Sequence, residues 1–111
     1  MLLDMRIYLI KPNGMAEHLD LYDRYGKVPQ CRHLGLPVAV MTTETGPLNQ
    51  YVHIWGYEDA ADREARRAAM WRDAEWLDYV ERVKVLDVLI SQETRLLTSV
   101  GFFAPNRATM I

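Results

Sequence analysis

The chain has 111 residues, of which half are hydrophobic and a quarter charged, and its formal net charge is -2 at pH 7. This length suits one domain with a single core, and the charge offers no basic field for nucleic acid or a membrane surface. No apolar run approaches the roughly 20 residues that span a bilayer, and we expect no signal peptide. Cys31 is the one cysteine, so an internal disulfide is excluded and a reducing, cytoplasmic location is expected.

The first third of the chain predicts a strand followed by a helix. Residues 3–11 alternate between two sets of side chains, as a strand does. Apolar residues at spacings near four predict a helix over residues 15–25. Gly26 and Pro29 weaken or bend its continuation, and Gly35 closes it.

A hairpin with an unusual second strand follows. Strands are predicted over residues 36–45 and 50–58, joined by a turn that contains Gly, Pro and Asn. The second of these strands has an aliphatic face, with Val52 and Ile54, and an aromatic face. The aromatic face consists of Tyr51, His53, Trp55 and Tyr57. We expect the aliphatic face on the core and the aromatic face at a cavity or a subunit interface.

The remaining elements complete a split βαβ order. They are helices capped by Asp59 and Asp73 and a fourth strand within residues 85–99. This order predicts an α+β, ferredoxin-like βαββαβ fold, with a four-stranded antiparallel sheet and helices on one face. A second subunit would cover the aromatic face and form a dimeric α+β barrel. The domain is expected over residues 1–100, with a C-terminal arm or tail over 101–111.

Several motifs recur in the order of a known family. The most specific is the run Thr43-Glu44-Thr45-Gly46-Pro47-Leu48-Asn49 leading into His53-Ile54-Trp55. Others are Arg32-His33-Leu34-Gly35, Arg63-Glu64-Ala65-Arg66-Arg67, Glu75-Trp76 and Ser91-Gln92-Glu93. Through these motifs the chain resembles the NIPSNAP family from Arg6 to about Thr98. It departs from the family pattern at Ala74, where proline is expected before Glu-Trp.

The resemblance implies a small homodimer of unassigned activity with a dimeric α+β barrel fold. The wider superfamily of such barrels includes cofactor-free monooxygenases, haem-degrading enzymes, isomerases and decarboxylases. A shared fold is an analogy and does not establish an activity.

One strand carries the strongest candidate for chemistry. His53 is the candidate catalytic residue, because an imidazole can give or take a proton near neutral pH. Its alternative role is a histidine at the subunit interface, hydrogen-bonded across the sheet. Trp55 and Tyr8 are candidate walls for a planar ligand, and the alternative for Trp55 is that it only fills the interior.

Other candidate ligand contacts come from four more segments. Arg6 suits an anionic ligand, and its alternative role is an ion pair with Glu93, itself a candidate lining residue. His33 is placed either at the pocket mouth or at a helix C-terminus. Glu44 and Asn49 flank the turn as candidate general base and amide contact; their alternatives are a solvated carboxylate and a turn residue.

Several other polar residues are expected on solvated surfaces. They are His18, Arg63, Arg66 and Arg67. The histidines have no metal-ligand spacing, and no phosphate loop or Gly-x-Ser-x-Gly motif is present, so the sequence implies neither a metal nor a cofactor.

We therefore expect a homodimer that binds a small, partly aromatic or carboxylated metabolite in a polar-aromatic pocket. The alternatives are a non-enzymatic protein-interaction module and a cofactor-free monooxygenase-like or isomerase-like enzyme. A haem-binding protein is a further alternative.

Overall fold

The computed structural model describes residues 1–108. Its strands are β1 (Leu2–Ile10), β2 (Ala39–Thr42), β3 (Gln50–Tyr57) and β4 (Leu89–Thr98). Its helices are α1 (Met15–Leu21), α2 (Lys27–Leu34), α3 (Ala60–Met70) and α4 (Ala74–Leu86), and a π-helical turn over Tyr22–Gly26 joins α1 to α2. The predicted α+β order of elements is confirmed.

The sheet is antiparallel, in the order β2-β3-β1-β4. Its central pair places Arg6 opposite His53 and Tyr8 opposite Tyr51. On the other side of β1, the register with β4 shifts between Leu9 and Ile10. These pairings set which side chains share a face of the sheet.

The helices cover the aromatic face of the sheet. Trp55 and Tyr57 are fully buried in a cluster with residues from all the later helices, namely Leu34, Met70, Trp76 and Tyr79. Tyr51 packs with Ile10 and Val88 in a second cluster. The expectation that this face awaits a second subunit is therefore wrong. Alternation separates two faces but does not show which one the helices take, and here the large rings bury more area against them.

The opposite face of the sheet is aliphatic and faces away from the helices. Its residues from β1 and β3 are Leu3, Met5, Ile7, Leu9, Val52 and Ile54. On the flanking strands, Met41 and Leu97 share this face and are exposed. The sheet thus has one face covered by its own helices and one apolar face that they leave open.

Local sequence signals explain where the later helices begin. The Asp59 carboxylate accepts a hydrogen bond from the Asp62 N–H at 2.8 Å, and the Asp73 carboxylate accepts one from the Glu75 N–H at 2.9 Å. Both predicted N-caps are confirmed. Helix α4 begins at Ala74, so the missing proline of the family pattern does not displace the helix start.

The first helical region continues past residue 25 and ends before Gly35, as predicted. It continues through the π-helical turn to Leu34, where Gly35 follows with φ +76°. Pro29 falls in the first turn of α2, directly after the π-helical turn. In the π-helical turn, a Cβ on Gly26 would lie 2.8 Å from Tyr22 Cδ1 and from Tyr79 Cε1. The turn therefore packs directly against α4.

The C-terminal segment returns along the molecule after β4. The Ala108 N–H donates to the Pro37 carbonyl at 2.6 Å, and Arg107 Nη1 donates to the Leu36 carbonyl at 2.8 Å. Residues 109–111 of the predicted tail lie outside the described residues, and the boundary at residue 100 stays a prediction. Within residues 1–108 no helix has the length and hydrophobicity to cross a membrane.

Candidate functional site

A cavity of about 140 Å³ lies between the aromatic face of the sheet and the helices. Its polar lining consists of Arg6, His18, Gln30, His53, Arg67 and Gln92. Its aromatic lining consists of Tyr8, Tyr22, Tyr51, Trp71, Trp76 and Tyr79. Strands β1, β3 and β4 form its floor, and every helical segment contributes to its walls.

His53 is held in a defined orientation within this cavity. Trp55 Nε1 donates a hydrogen bond to His53 Nδ1 at 2.7 Å. An indole N–H only donates, so the neutral imidazole carries its proton on Nε2. The ring stacks on Tyr51 at a centroid distance of 4.9 Å and meets the edge of Tyr8 at 4.8 Å. The hydrogen-bond partner of His53 is thus Trp55 on the same strand. The alternative role, an interface histidine hydrogen-bonded across the sheet, is therefore wrong.

The remaining nitrogen of His53 is a buried donor. His53 is 2% exposed, and its Nε2 has no hydrogen-bond partner among residues 1–108. Burial lowers the pKa of His53 to about 3, with further lowering by the positive charges of Arg6, His18 and Arg67. The ring is therefore neutral at physiological pH. Its Nε2–H can donate a hydrogen bond, and the ring is too weak a base to take up a proton at this pH.

His18 is a second buried histidine of the cavity. It is 1% exposed, its ring lies 5.0 Å from that of Tyr51, and neither ring nitrogen has a partner within the described chain. Burial lowers its pKa. The expected surface position is wrong. Met15, His18, Leu19 and Tyr22 have the spacing i, i+3, i+4, i+7, which could have placed His18 on the buried stripe.

Three buried tyrosines keep their protons. Burial raises the pKa values of Tyr22, Tyr51 and Tyr79 well above the ordinary range. The Tyr22 hydroxyl donates to Gln30 Oε1. These phenols supply flat aromatic surface and neutral polar groups.

Two arginines pair with one carboxylate near Arg6, and a third arginine lies close by. Asp4 is fully buried, and its Oδ2 accepts from Arg63 Nε at 2.9 Å and from Arg6 Nη1 at 3.4 Å. Arg67 lines the cavity, and no carboxylate of residues 1–108 lies within the 4.0 Å ion-pair distance of it. Burial lowers the pKa of Arg67, and Arg6 and Arg63 lower it further.

The expected solvated positions of Arg63 and Arg67 are therefore wrong. Both are half-buried. Together with the buried Met70 they have the spacing i, i+4, i+7, which places them on the side of α3 that meets the sheet. Arg66 lies off this stripe; it pairs with Asp62 at 2.8 Å and donates to the His33 carbonyl at 3.3 Å.

The fold and this geometry agree with one family. The NIPSNAP family model matches residues 3–104. The chain belongs to the NIPSNAP family. The predicted resemblance is confirmed.

Solved structures of NIPSNAP proteins superpose closely on the chain. A NIPSNAP-like domain protein from Burkholderia xenovorans has a TM-score of 0.85 at 38% identity, covering 94% of this chain and 89% of that one. A NIPSNAP family protein from Agrobacterium tumefaciens has a TM-score of 0.85 at 34% identity, covering 91% and 94%. Another from A. tumefaciens, described as having unknown function, has a TM-score of 0.88 at 28% identity, covering 96% and 94%.

More distant structures share the fold alone. A putative antibiotic biosynthesis monooxygenase from Nitrosomonas europaea has a TM-score of 0.65 at 13% identity, covering 90% of this chain and 99% of that one. No curated protein matches the sequence.

The cavity of this NIPSNAP protein brings together three of the predicted site residues, which are Arg6, Tyr8 and His53. Trp55 is fully buried behind His53 and orients it without lining the cavity. Sequence reasoning missed Arg67 and His18, although the spacing of each on its helix contained the signal.

Glu93 lies on the opposite face of the sheet. It is paired across β1 with Ile7, and its carboxylate accepts from Arg95 Nε at 2.9 Å. The expected ion pair between Arg6 and Glu93 is wrong, since the β1–β4 register pairs Arg6 with Thr94 and Tyr8 with Gln92, which lines the cavity instead. A shift of one residue moves every side chain to the other face.

The other predicted contacts lie outside the cavity. His33 Nε2 lies 2.8 Å from Asp73 Oδ2, and this contact, with Arg32 and a backbone N–H, lowers the pKa of Asp73 to about 2. Asn49 has φ +65°, and its carbonyl accepts from the Ile10 N–H at 2.8 Å, as a turn residue does. Glu44 is exposed in the loop before it.

Proposed function

We propose that this NIPSNAP protein binds one small planar metabolite with a hydrogen-bond acceptor in the cavity beneath its helices. The observation that carries the proposal is the donor nitrogen of His53. Trp55 occupies Nδ1, which leaves a buried Nε2–H on a ring that lines the cavity. A buried donor without a partner is costly, and a ligand acceptor removes that cost.

The size of the cavity supports a single-ring ligand. At about 140 Å³ it is close to the ~150 Å³ that holds benzene, and below the ~300 Å³ at which pockets for drug-sized ligands begin. The surrounding rings favour a flat ligand, because Tyr8, Tyr51, Trp76 and Tyr79 present aromatic edges and faces.

Binding is proposed ahead of catalysis because of the state of His53. A group with a pKa of about 3 is a weak base at neutral pH, and efficient proton transfer needs a pKa near the working pH. A cofactor-free monooxygenase-like or isomerase-like activity remains the second candidate. It draws support from the fold shared with a putative antibiotic biosynthesis monooxygenase, and it requires the ligand to raise the pKa of His53.

We also propose that two copies pair through their open sheet faces. The face is apolar along β1 and β3 and continues to Met41 on β2 and Leu97 on β4, while the ion pair of Glu93 and Arg95 lies on its β4 edge. Contiguous apolar surface of this kind marks interaction sites.

A cytoplasmic location is kept as part of the proposal, on the strength of a single cysteine whose thiol pKa is raised by burial.

A screen of single-ring compounds tests the binding proposal. Ligand-detected NMR would compare wild type with His53→Phe, and with His33→Gln as a control histidine outside the cavity. We expect hits that bind wild type and His33→Gln equally and His53→Phe about tenfold more weakly, the cost of about one hydrogen bond. If no compound binds wild type, the proposal fails, and an interaction module becomes the better description.

A further inference from the structure

We propose that the metabolite is a single-ring carboxylic acid whose carboxylate is bound by Arg67 together with Arg6. This inference rests on the proposed function and names the chemical class of the ligand. It is carried by Arg67, a half-buried guanidinium on the cavity wall with no carboxylate partner among the described residues.

The charges around this end of the cavity are unbalanced. Arg6 of β1 and Arg63 of α3 both pair with Asp4, and both lie close enough to Arg67 of α3 to lower its pKa. Three positive charges thus meet one negative charge. Buried charge is unfavourable unless it is paired, so an anion bound here would neutralise the surplus positive charge.

Arg67 itself responds to this surplus. Its pKa is lowered by burial and by the neighbouring Arg6 and Arg63, which outweigh the raising effects of Tyr57 and Asp4. A bound anion beside Arg67 raises this pKa again, because it offers an opposite charge and hydrogen-bond acceptors to the guanidinium.

The donors of this end match the shape of a carboxylate. Arg6 lies directly opposite His53 in the β1–β3 pair, and both Arg6 and Arg67 are close enough to lower the pKa of His53. Two arginines and the neutral His53 therefore lie close together in the lining of a small cavity. Guanidinium groups bind planar carboxylates through paired hydrogen bonds, which a neutral amide cannot reproduce.

The aromatic residues of the cavity determine which group the ligand carries beside its carboxylate. Trp76 and Tyr79 of α4 and Tyr51 of β3 present rings to the cavity, and its volume of about 140 Å³ leaves room for about one ring. Aliphatic acids with long chains and fused-ring acids exceed this space.

Calorimetry with benzoate and its neutral isostere benzamide tests the inference. The proteins are wild type, Arg67→Gln, Arg67→Lys, and Arg66→Gln as a control one position along α3. We expect wild type and Arg66→Gln to bind benzoate at least tenfold more tightly than benzamide. The reason is that hydrogen bonds between a guanidinium and a charged carboxylate contribute more than those to a neutral amide. Arg67→Gln should lose that preference while still binding benzamide, and Arg67→Lys should fall between them.

The outcomes separate this inference from the function on which it rests. Equal binding of benzoate and benzamide by wild type overturns the carboxylate assignment and leaves the cavity as a binding site. Tighter binding of benzenesulfonate or phenyl phosphate than of benzoate also overturns it. Binding of none of these compounds overturns the proposed function. The comparison of ligands on wild type holds even if Arg67→Gln fails to fold.

A spectroscopic signature accompanies the expected result. Benzoate binding should raise the pKa of His53 from about 3, because a negative charge then lies beside the ring, whereas benzamide should leave it unchanged. An NMR titration of the His53 ring protons measures both, and an unchanged pKa with bound benzoate places the carboxylate away from His53 and Arg67.

Discussion

At the scale of single residues, Trp55 determines the tautomer and orientation of His53. Its indole N–H fixes the neutral tautomer by occupying Nδ1, and it does so from a fully buried position outside the cavity. Because the imidazole is held at one end, the other nitrogen carries the proton, on a ring that lines the cavity. Trp55 is thus a positioning residue for His53.

Replacing Trp55 with phenylalanine should separate this role from simple packing. Trp55→Phe keeps an aromatic ring but leaves His53 Nδ1 buried without a donor, so we expect a loss of about 3 kcal/mol in the free energy of unfolding. Urea denaturation measures the loss, and ¹⁵N shifts should show a mixture of His53 tautomers. Trp71→Phe is the control, since Trp71 is 45% exposed. An unchanged tautomer in Trp55→Phe would contradict the role.

The lowered pKa of His53 predicts a dependence of stability on pH. In the unfolded chain a histidine titrates near 6.5, whereas folded His53 titrates at about 3, so between these values the unfolded state binds more protons. This contribution is complete above pH 6.5 and is lost as the pH falls toward 3. We expect a loss of about 2 kcal/mol between pH 7 and pH 5 from this group.

Denaturant unfolding at several pH values measures this dependence, and His18, whose pKa is lowered in the same direction, adds to it. The Asp73 carboxylate, with a pKa lowered to about 2, acts in a separate window below about pH 4. A flat stability profile between pH 7 and pH 5 would show that neither histidine is held neutral by the fold.

At the scale of elements, the π-helical turn joins the first helical region to the cavity. It begins at Tyr22, whose ring lines the cavity, and ends at Gly26, where α4 approaches the backbone. Such turns interrupt an α-helix at some cost and occur often at functional sites. Here the turn allows Tyr22 and Tyr79 to pack at a ring distance of 5.8 Å.

Alanine at Gly26 should disturb this packing and the cavity together. Its Cβ would lie 2.8 Å from ring atoms of Tyr22 and Tyr79, so we expect a net loss of about 1–2 kcal/mol after the gain in helix propensity. Ligand affinity should fall as well, because both rings line the cavity. Gly101→Ala is the matched control, since a Cβ there meets nothing within 4 Å. Equal stability of the two variants would contradict the close approach.

At the scale of the whole molecule, the two faces of the sheet have separate roles. The aromatic face is enclosed by the helices and forms the cavity, while the aliphatic face has no helix against it. In the proposed dimer the second face is buried between sheets, and each subunit keeps its own cavity. Pairing and ligand binding then depend on different residues.

A charge on the open face should therefore separate the subunits without closing the cavity. Ile54→Glu places a carboxylate on this face of β3, opposite Met5, and a charge at the core of an apolar interface is strongly unfavourable. Light scattering should give twice the chain mass for wild type and a single chain for Ile54→Glu. Val28→Glu, at an exposed position on α2, should remain a dimer. A monomeric wild type would contradict the pairing.

The sequence by itself determined the order of elements, the fold class and the family. Alternation, turn residues and the caps Asp59 and Asp73 are local signals, because each depends on neighbours within a few positions. Alternation also placed Arg6 and Tyr8 together on one side of β1. The pairing of Arg6 with His53 adds His53 to the same face of the sheet.

Only the tertiary structure determined which face the helices cover and which residues meet there. The rotation of α1 and α3 against the sheet brought His18 and Arg67 to His53, and the register of β4 took Glu93 away from them. These outcomes depend on packing between distant segments, and the alternation of one strand is the same whichever face is buried. The charge imbalance at the cavity likewise exists only once Asp4 and three distant arginine side chains are brought together.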